Sequence, residues 1–237
     1  MAPEPGDIEA VDGSEPEPEP TEGTVAQSRS ALLIDWGGVL TTNLFASFRA
    51  HCVRAEIDPA KLVGRFRQDP VARELLIALE TGELAEEDFE VQFAGLLDVE
   101  PEGLVDGLFA GVQPDLAMVE AVRLARAGGI RTALVSNSWG THRYPHELFE
   151  ELFDGVVISG EEGVRKPALR MYELGAERAG AALEACVFVD DLPFNLTPAQ
   201  ELGMATVHHS AAETTIPQLE RLLGLPLADA LQSSPQP

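Results

Sequence analysis

The chain has 237 residues, 45% of them hydrophobic, and carries a formal net charge of −24 at pH 7. This length and apolar content allow one large domain or one domain with a sizeable insertion. An acidic surface of this kind repels nucleic acid and anionic membranes, so we expect neither as a partner. We expect a monomer or a homodimer that acts on a small molecule.

The first 29 residues differ in composition from the rest of the chain. They hold eight acidic residues and one arginine, with a Glu-Pro repeat from Glu15 to Pro20. Alternating proline and like charges cannot build a core, so residues 1–29 are predicted to be a disordered acidic tail. The tail has no basic start followed by an apolar run, and the sequence has no stretch long enough to span a bilayer, which predicts a cytoplasmic location.

The first strong structural signal is the apolar run 31–34, which leads directly into Asp35 and is followed by Gly37 and Gly38. A continuous apolar run bounded by glycine is typical of a buried strand in a parallel sheet. Asp35 is then expected at the carboxyl end of that strand, on the edge where open α/β sheets bind ligands. A carboxylate in this place can act as a nucleophile or as a metal ligand.

Residues 42–112 carry helical patterns without a strand pattern. Asp58-Pro59 and Pro70 predict helix starts, because proline is favoured at the first helical position. Charged residues such as Arg65 and Glu80 could face a cleft, but on a helix such residues usually form a solvated face. The segment is therefore predicted to be a helical insert that follows the first strand.

From residue 113 onward, strand and helix patterns alternate. Thr197-Pro198 predicts one of the helix starts, since threonine is a good cap and proline suits the first turn. Alternation of this kind predicts an α/β fold with a parallel sheet, helices on both faces and right-handed crossovers. The core would comprise residues 30–41 and 113–237, with the insert 42–112 between them. Apolar runs predict its later strands at 132–135, 155–159, 186–189 and 205–208.

Polar residues end these strands or begin the next element. Ser136 and Asn137 follow the second strand, and Asp190-Asp191 follows the fourth. Lys166 precedes a predicted helix start. Together with the first aspartate, this set suits phosphoryl transfer: a carboxylate attacks phosphorus, a hydroxyl and amides hold oxygens, and an ammonium and a divalent cation neutralise charge. Oxygen ligands of this kind favour Mg²⁺.

In combination, these residues resemble the four motifs of the haloacid dehalogenase-like (HAD) hydrolase superfamily. The resemblance covers about residues 31–224 and is greatest to the bacterial sugar-1-phosphatase branch and the N-terminal phosphatase domain of soluble epoxide hydrolases. It implies a Rossmann-like core with a helical cap inserted after the first strand. The motif residues are Asp35-Trp36-Gly37-Gly38-Val39, Ser136-Asn137, Lys166-Pro167 and Asp190-Asp191.

The resemblance implies a nucleophile and a metal site. Asp35 would attack phosphorus and form an aspartyl-phosphate, which water then hydrolyses. The Asp35 carboxylate and the Gly37 carbonyl oxygen would ligate Mg²⁺. Asp190 would be a further direct ligand, with Asp191 nearby and acting through water.

The resemblance also implies how substrate is held. Ser136, the Asn137 amide and Lys166 would bind the phosphoryl group, and residues 42–112 would close over the site and select the substrate. The predicted function is a Mg²⁺-dependent phosphatase acting on a small phosphorylated metabolite, with a sugar phosphate as one candidate.

One position departs from the usual pattern of the superfamily. Most phosphatases in it carry a second aspartate, the general acid, where this chain has Gly37, and general acid catalysis is typically worth about 10²–10⁴-fold. The alternative is therefore a catalytically impaired relative that binds a metabolite or partner. A dehalogenase would leave Asp190-Asp191 idle, and a phosphonate-cleaving enzyme would need a Schiff-base lysine in the insert, for which Lys61 is the only candidate.

Overall fold

A computed structural model describes residues 29–233 of the chain. In this part of the chain, five strands form one parallel sheet: β1 (Ala31–Ile34), β2 (Arg131–Ser136), β3 (Gly155–Ile158), β4 (Cys186–Asp190) and β5 (Ala205–His208). The strand order is β3-β2-β1-β4-β5, so β1 is central and pairs with both β2 and β4. All four residues of β1 are buried, as expected for a strand covered on both faces. The predicted parallel α/β fold is confirmed.

The insert between β1 and β2 is helical. Within the described residues it contains α1 (Leu44–Arg54), α2 (Pro59–Gln68), α3 (Pro70–Glu80), α4 (Glu86–Leu97) and α5 (Leu104–Phe109). The Asp58 and Asp69 carboxylates cap α2 and α3, and each of these helices begins with proline, as predicted. The helices pack around their own apolar cluster, which includes Phe48, Phe89 and Phe93.

The two segments that join the insert to the sheet run side by side. Thr41 and Pro114 form an antiparallel bridge, and the Thr42 N–H donates to the Gln113 carbonyl oxygen at 2.8 Å. The insert therefore leaves and rejoins the core at one place, close to the carboxyl end of β1.

Helices cover both faces of the sheet: α6 (Leu116–Ala127), α7 (Phe149–Leu152), α8 (Ser159–Glu162), α9 (Leu169–Ala179), α10 (Pro193–Glu201) and α11 (Ala212–Leu223). Alternate β1 residues point to opposite faces, so Leu32 packs in the cluster with α6 and α11, while Leu33 packs in the cluster with α9 and α10. None of the helices in residues 29–233 has the length and apolar character needed to cross a bilayer.

One predicted helix start differs from the structure, and the predicted tail lies mostly outside the described residues. The predicted helix start at Thr197 is wrong, because α10 begins at Pro193 and contains Pro198 in its interior. The reason is tertiary: Asn195 is buried and hydrogen-bonds Asp190, which draws residues 193–197 into the helix. The predicted disordered tail falls almost entirely on residues 1–28, which lie outside the described part of the chain.

Candidate active site

Asp35 extends the central strand by one residue. Its N–H donates to the Val189 carbonyl oxygen at 3.0 Å, which continues the pairing of β1 with β4. Its Oδ1 accepts from the Trp36 N–H at 2.8 Å and lies 2.9 Å from Lys166 Nζ. Within residues 29–233, no hydrogen bond reaches Asp35 Oδ2. One carboxylate oxygen is thus held in place, and the other is available for chemistry.

Lys166 is fully buried between two carboxylates. Its Nζ lies 2.9 Å from Asp35 Oδ1 and 2.7 Å from Asp190 Oδ2. Burial alone would lower the pKa of the Lys166 ammonium, but the Asp190 and Asp35 carboxylates raise it above its usual value. Burial in turn raises the pKa of Asp35 to about 6, although Lys166 opposes this shift. Lys166 is therefore a permanent positive charge beside the candidate nucleophile.

The Asn137 side chain fixes the backbone of residue 166. Its Oδ1 accepts from the Lys166 N–H at 2.8 Å, and its Nδ2 donates to the Lys166 carbonyl oxygen at 3.2 Å. This pair of bonds connects the loop after β2 to the loop before α9. The side chain of Asn137 positions Lys166, and the expected role of the Asn137 amide in phosphate binding stays a prediction.

Asp190 is completely buried, and both of its carboxylate oxygens accept hydrogen bonds. Oδ1 accepts from the Leu192 N–H at 2.9 Å and from Asn195 Nδ2 at 3.0 Å. Oδ2 lies 2.7 Å from Lys166 Nζ and 3.1 Å from Asn195 Nδ2. The carboxylate is therefore surrounded by donors, so its charge is compensated from within the protein.

Asp191 lies against the glycine turn that follows Asp35. A Cβ added to Gly38 would lie 2.5 Å from Asp191 Oδ2, and Gly38 has a φ of +78°. Glycine is required there on both counts, since other residues rarely adopt this conformation and would collide with the carboxylate. Burial, followed by the negative charges of Asp35 and Asp190, raises the pKa of Asp191 to about 7.

The three carboxylates can offer one metal site. Asp35, Asp190 and Asp191 each present a ligand oxygen, and these atoms all lie within 4.8 Å of one another. When all three are ionised, their negative charge exceeds the single positive charge of Lys166, and burial makes that excess costly. A donor set made only of carboxylate oxygens suits a hard divalent cation, so these residues fit Mg²⁺.

Ser136 ends β2 on the same sheet edge. β1 and β2 are paired in register from Ala31 with Arg131 to Ile34 with Leu134, which puts Ser136 just beyond the level of Asp35. The Tyr144 hydroxyl donates to Ser136 Oγ at 2.9 Å. Burial raises the pKa of Tyr144, so this hydroxyl stays protonated and the Ser136 hydrogen is free to point elsewhere.

Glu80, the last residue of α3, reaches from the insert into the core. It is 5% exposed, and its Oε2 lies 2.7 Å from Arg165 Nε and 3.5 Å from Asn137 Nδ2. Its backbone carbonyl oxygen accepts a hydrogen bond from the Ser159 hydroxyl. Burial raises the pKa of Glu80 to about 7 despite the attraction of Arg165. The structure thus decides between the two positions that the sequence left open for Glu80, because tertiary contacts bury this end of the helix.

A cavity of about 440 Å³ lies between the insert and the sheet edge. Gly37, Ser136 and Asn137 line it, so it adjoins the carboxyl ends of β1 and β2. The rest of its wall is largely apolar and comes from the insert, from the loop after β2 and from the segments that join the insert to the core. These lining residues include Leu44, Phe109, Val112, Pro114, Trp139, Tyr144 and Pro145.

The structure brings together the predicted residues Asp35, Ser136, Lys166, Asp190 and Asp191. Sequence reasoning missed Tyr144 and the ion pair of Glu80 with Arg165, and it gave Asn195 only a role within its own loop. No local pattern could have identified these contacts, because each depends on a partner that is distant along the chain or on the path of a loop.

The comparisons with known proteins agree with this geometry. A family model described as haloacid dehalogenase-like hydrolase matches residues 30–203. A solved structure of a predicted HAD-like family hydrolase from Porphyromonas gingivalis superposes with a TM-score of 0.64 at 22% sequence identity, covering 83% of this chain and 98% of that one. The predicted superfamily is confirmed.

Several curated relatives are similar to about half of the chain. "Acyl-CoA dehydrogenase family member 10" of Mus musculus is 38% identical over 114 residues, which is 46% of this chain and 10% of that protein. Sesquiterpene phosphatase astK of Aspergillus oryzae is 30% identical over 116 residues, 48% of this chain and 59% of that protein. Bifunctional epoxide hydrolase 2 of Sus scrofa is 29% identical over 117 residues, 46% of this chain and 21% of that protein. The chain thus covers less than two thirds of the length of each.

Proposed function

Because the chain belongs to the haloacid dehalogenase-like hydrolase family, we propose that it is a Mg²⁺-dependent phosphatase that hydrolyses a small phosphorylated metabolite. The observation that carries the proposal is the buried Lys166 ammonium, which lies 2.9 Å from Asp35 and 2.7 Å from Asp190 on the edge that also carries Ser136. Similarity to a sesquiterpene phosphatase supports phosphoryl chemistry.

In the first step, the free Oδ2 of Asp35 attacks phosphorus. A bond forms between this oxygen and phosphorus, and the bond from phosphorus to the ester oxygen breaks, so the alcohol oxygen leaves with the electron pair. Water then attacks the phosphorus of the aspartyl-phosphate, and the bond from phosphorus to Asp35 Oδ2 breaks, which restores the carboxylate. One proton of the water stays on the released phosphate, and the other neutralises the departed alkoxide through solvent. Lys166 keeps Asp35 ionised and lies where it can attract the phosphoryl oxygens, and Ser136 donates a hydrogen bond to them.

The residues that would hold Mg²⁺ are Asp35, Asp191, the Gly37 carbonyl and Asp190. When bound, the ion neutralises negative charge on the phosphoryl group. Asp190 already accepts four N–H contacts, whereas among residues 29–233 no other residue donates a hydrogen bond to the Asp191 carboxylate. This difference favours Asp191 as the more available ligand and gives Asp190 the further task of orienting Lys166.

Gly37 occupies the position from which the general acid of most relatives protonates the leaving oxygen. A Cβ added to Gly37 would lie 2.8 Å from Leu44 Cδ1, so an apolar side chain of the insert occupies the space beside this position. A proton donor is therefore missing at Gly37, and leaving groups of low pKa, which depart without protonation, should react best.

Lys61 gives no support to phosphonate cleavage. Its ammonium donates to the Leu97 carbonyl oxygen at the end of α4, within the insert. It is not among the residues that line the cavity beside Gly37, Ser136 and Asn137.

The proposal is tested with the full chain and para-nitrophenyl phosphate. Turnover should require Mg²⁺, stop in EDTA and return when Mg²⁺ is added in excess. A panel of phosphorylated metabolites, including sugar phosphates, then ranks natural candidates. Full activity in EDTA would contradict the metal site, and absence of turnover across the panel with Mg²⁺ would favour a binding protein.

A further inference from the structure

We propose that this site takes aryl monophosphates, in which the leaving group is an apolar aromatic ring system with a phenolic oxygen. The inference rests on the phosphatase proposal above and adds the chemical class of the group that is released. Two independent observations lead to it, the wall of the cavity and the surroundings of Gly37.

The cavity has the size and place of a leaving-group pocket. Its volume of about 440 Å³ falls in the range of small-molecule sites. Gly37, Ser136 and Asn137 line it, so the ester oxygen of a phosphoryl group held by these residues would lie next to the cavity.

Several aromatic rings of the cavity wall pack against one another. The centroids of Trp36 and Tyr144 are 6.0 Å apart, and those of Phe109 and Trp139 are 5.5 Å apart. Trp139 also packs against Phe89 of the insert at 5.6 Å, which holds its ring in place. Firmly held aromatic faces favour a flat apolar guest, because such rings stack edge-to-face or offset.

The charged residues at the cavity are already paired. Arg143 Nε lies 2.9 Å from Glu86 Oε2, its Nη2 lies 2.8 Å from Asp106 Oδ1, and its guanidinium sits 5.2 Å from the centroid of the Phe109 ring. Two carboxylates thus compensate one guanidinium. A second phosphate or a carboxylate on the leaving group would find no unpaired cation at Arg143, which disfavours diphosphorylated and acidic metabolites.

Thr41 would serve a sugar hydroxyl poorly. Thr41 Oγ1, one of the polar groups at the cavity, accepts from the Gly38 N–H at 3.0 Å and donates to the Thr42 carbonyl oxygen at 3.2 Å. A hydroxyl that loses its water without gaining a partner costs free energy, whereas an apolar ring gains from the same burial.

The surroundings of Gly37 lead to the same class. A Cβ at Gly37 would lie 2.8 Å from Leu44 Cδ1, so an apolar side chain stands where the side chain of an acid at this position would begin. A phenol, with a pKa of about 10, departs as its anion far more readily than an aliphatic alcohol does. A phenol therefore suits the apolar part of the cavity wall and needs less help to leave than an aliphatic alcohol does.

The test uses phosphate esters that separate ring size from leaving-group pKa. Phenyl phosphate, 2-naphthyl phosphate and O-phosphotyrosine release phenols of similar pKa, and glucose 1-phosphate provides the sugar. With Mg²⁺, kcat/KM should be about tenfold or more higher for 2-naphthyl than for phenyl phosphate, because the larger ring fills the apolar pocket. O-phosphotyrosine and glucose 1-phosphate should be the poorer substrates.

A matched pair of variants ties the preference to the cavity. Val112→Asp places a charge on the cavity wall and should remove most of the naphthyl-over-phenyl ratio, while Val91→Asp, at a 59% exposed position on α4, should keep it. Thermal unfolding of both variants verifies that they fold. Equal or better turnover of glucose 1-phosphate, or an unchanged ratio in a folded Val112→Asp protein, would overturn the aryl assignment and leave the phosphatase proposal standing. No turnover of any ester would overturn the phosphatase proposal itself.

Discussion

The carboxyl edge of the sheet and the wall of the cavity are built in opposite ways. At the sheet edge, Lys166 is buried and paired with the carboxylates of Asp35 and Asp190, and the half-buried Asp191 lies beside them. Across the cleft, the wall is largely apolar, and its guanidinium, that of Arg143, is compensated by Glu86 and Asp106. The difference teaches that reactivity and selection are separable here: the sheet edge would perform the reaction, and the insert with its neighbouring loop would choose the leaving group.

Changes on the two sides should therefore have different kinetic signatures. A change at the sheet edge should lower turnover of every ester by a similar factor. A change in the cavity wall should alter the ranking of esters by kcat/KM. The kcat for the best ester should fall less than it does after a change at the sheet edge.

The largest effect is expected at the nucleophile. Asp35→Asn removes the attacking oxygen, so kcat should fall by about 10⁴-fold or more for all substrates alike. Asp98→Asn is the matched control, because Asp98 is exposed and its φ of +63° is one that asparagine also tolerates. Steady-state rates on two esters of different size measure both. Substantial activity in a folded Asp35→Asn protein would mean that another group attacks phosphorus.

A smaller but still general loss is expected at Gly38. Gly38→Ala must push the Asp191 carboxylate away and strain a backbone with φ of +78°, so Mg²⁺ affinity should drop by about 10–100-fold and turnover should follow. Gly180→Ala shares the positive φ, +69°, but its Cβ would meet nothing within 4 Å. Mg²⁺ titrations of activity separate the two effects. An equal loss in both variants would show that backbone strain, and not Asp191, is responsible.

Gly37 and Leu44 lie where the sheet edge adjoins the cavity wall, so substitutions there should affect both the reaction and the choice of leaving group. In the unmodified protein, log kcat/KM should fall steeply as the leaving-group pKa rises across aryl and alkyl phosphates, provided that chemistry limits the rate. Gly37→Asp combined with Leu44→Ala should flatten that slope and raise alkyl phosphate turnover by at least about tenfold, since it supplies an acid and the room for it. Gly37→Asp alone should do less, because Leu44 stands 2.8 Å from the new Cβ.

A flat dependence on leaving-group pKa in the unmodified protein would contradict this interpretation of Gly37. It would mean that another proton donor is present. Glu80, buried beside Asn137 and with a pKa raised to about 7, would then be the first residue to replace.

The smallest predicted effect concerns stability at the contact between the insert and the core. Burial raises the pKa of Glu80 from 4.5 to about 7. Between pH 4.5 and pH 7, the Glu80 carboxyl is therefore protonated in the folded state and ionised in the unfolded state. The contribution of Glu80 to the free energy of unfolding is therefore fully present below about pH 4.5 and is lost as pH rises through about 7. The loss is on the order of 3 kcal/mol at most.

Glu80→Gln should remove this part of the pH dependence. Urea unfolding at pH 5 and pH 8 without added metal measures it, and the decline in unfolding free energy should be smaller in Glu80→Gln than in the unmodified chain. Glu83→Gln, at an exposed position just after α3, provides the control. Identical declines in all three proteins would show that Glu80 does not titrate in this range.

The sheet edge could be predicted well from the sequence. Apolar runs locate strands to within about one residue. Parallel pairing then brings the carboxyl ends of β1, β2 and β4 to one edge, independent of the loop conformations. The positions of Asp35, Ser136 and Asp190 follow from that rule, as the register of β1 with its two neighbours shows.

The side-chain contacts between distant segments could not be predicted in the same way. Glu80 belongs to a helix whose pattern allows either a solvated or a buried end, and only the contacts with Arg165 and Ser159 decide between them. Tyr144 lies in a loop without periodicity, and its bond to Ser136 depends on the path of that loop. Side-chain contacts between distant segments are set by packing, which a local pattern does not contain.

The stereochemical course at phosphorus tests most directly whether Asp35 forms a covalent intermediate. An aryl phosphorothioate that is chiral by isotopic labelling would be hydrolysed with Mg²⁺, and the configuration of the released thiophosphate determined. Two successive in-line displacements, first by Asp35 and then by water, predict net retention of configuration. Net inversion would show that water attacks the ester directly, and Asp35 would then not be the nucleophile.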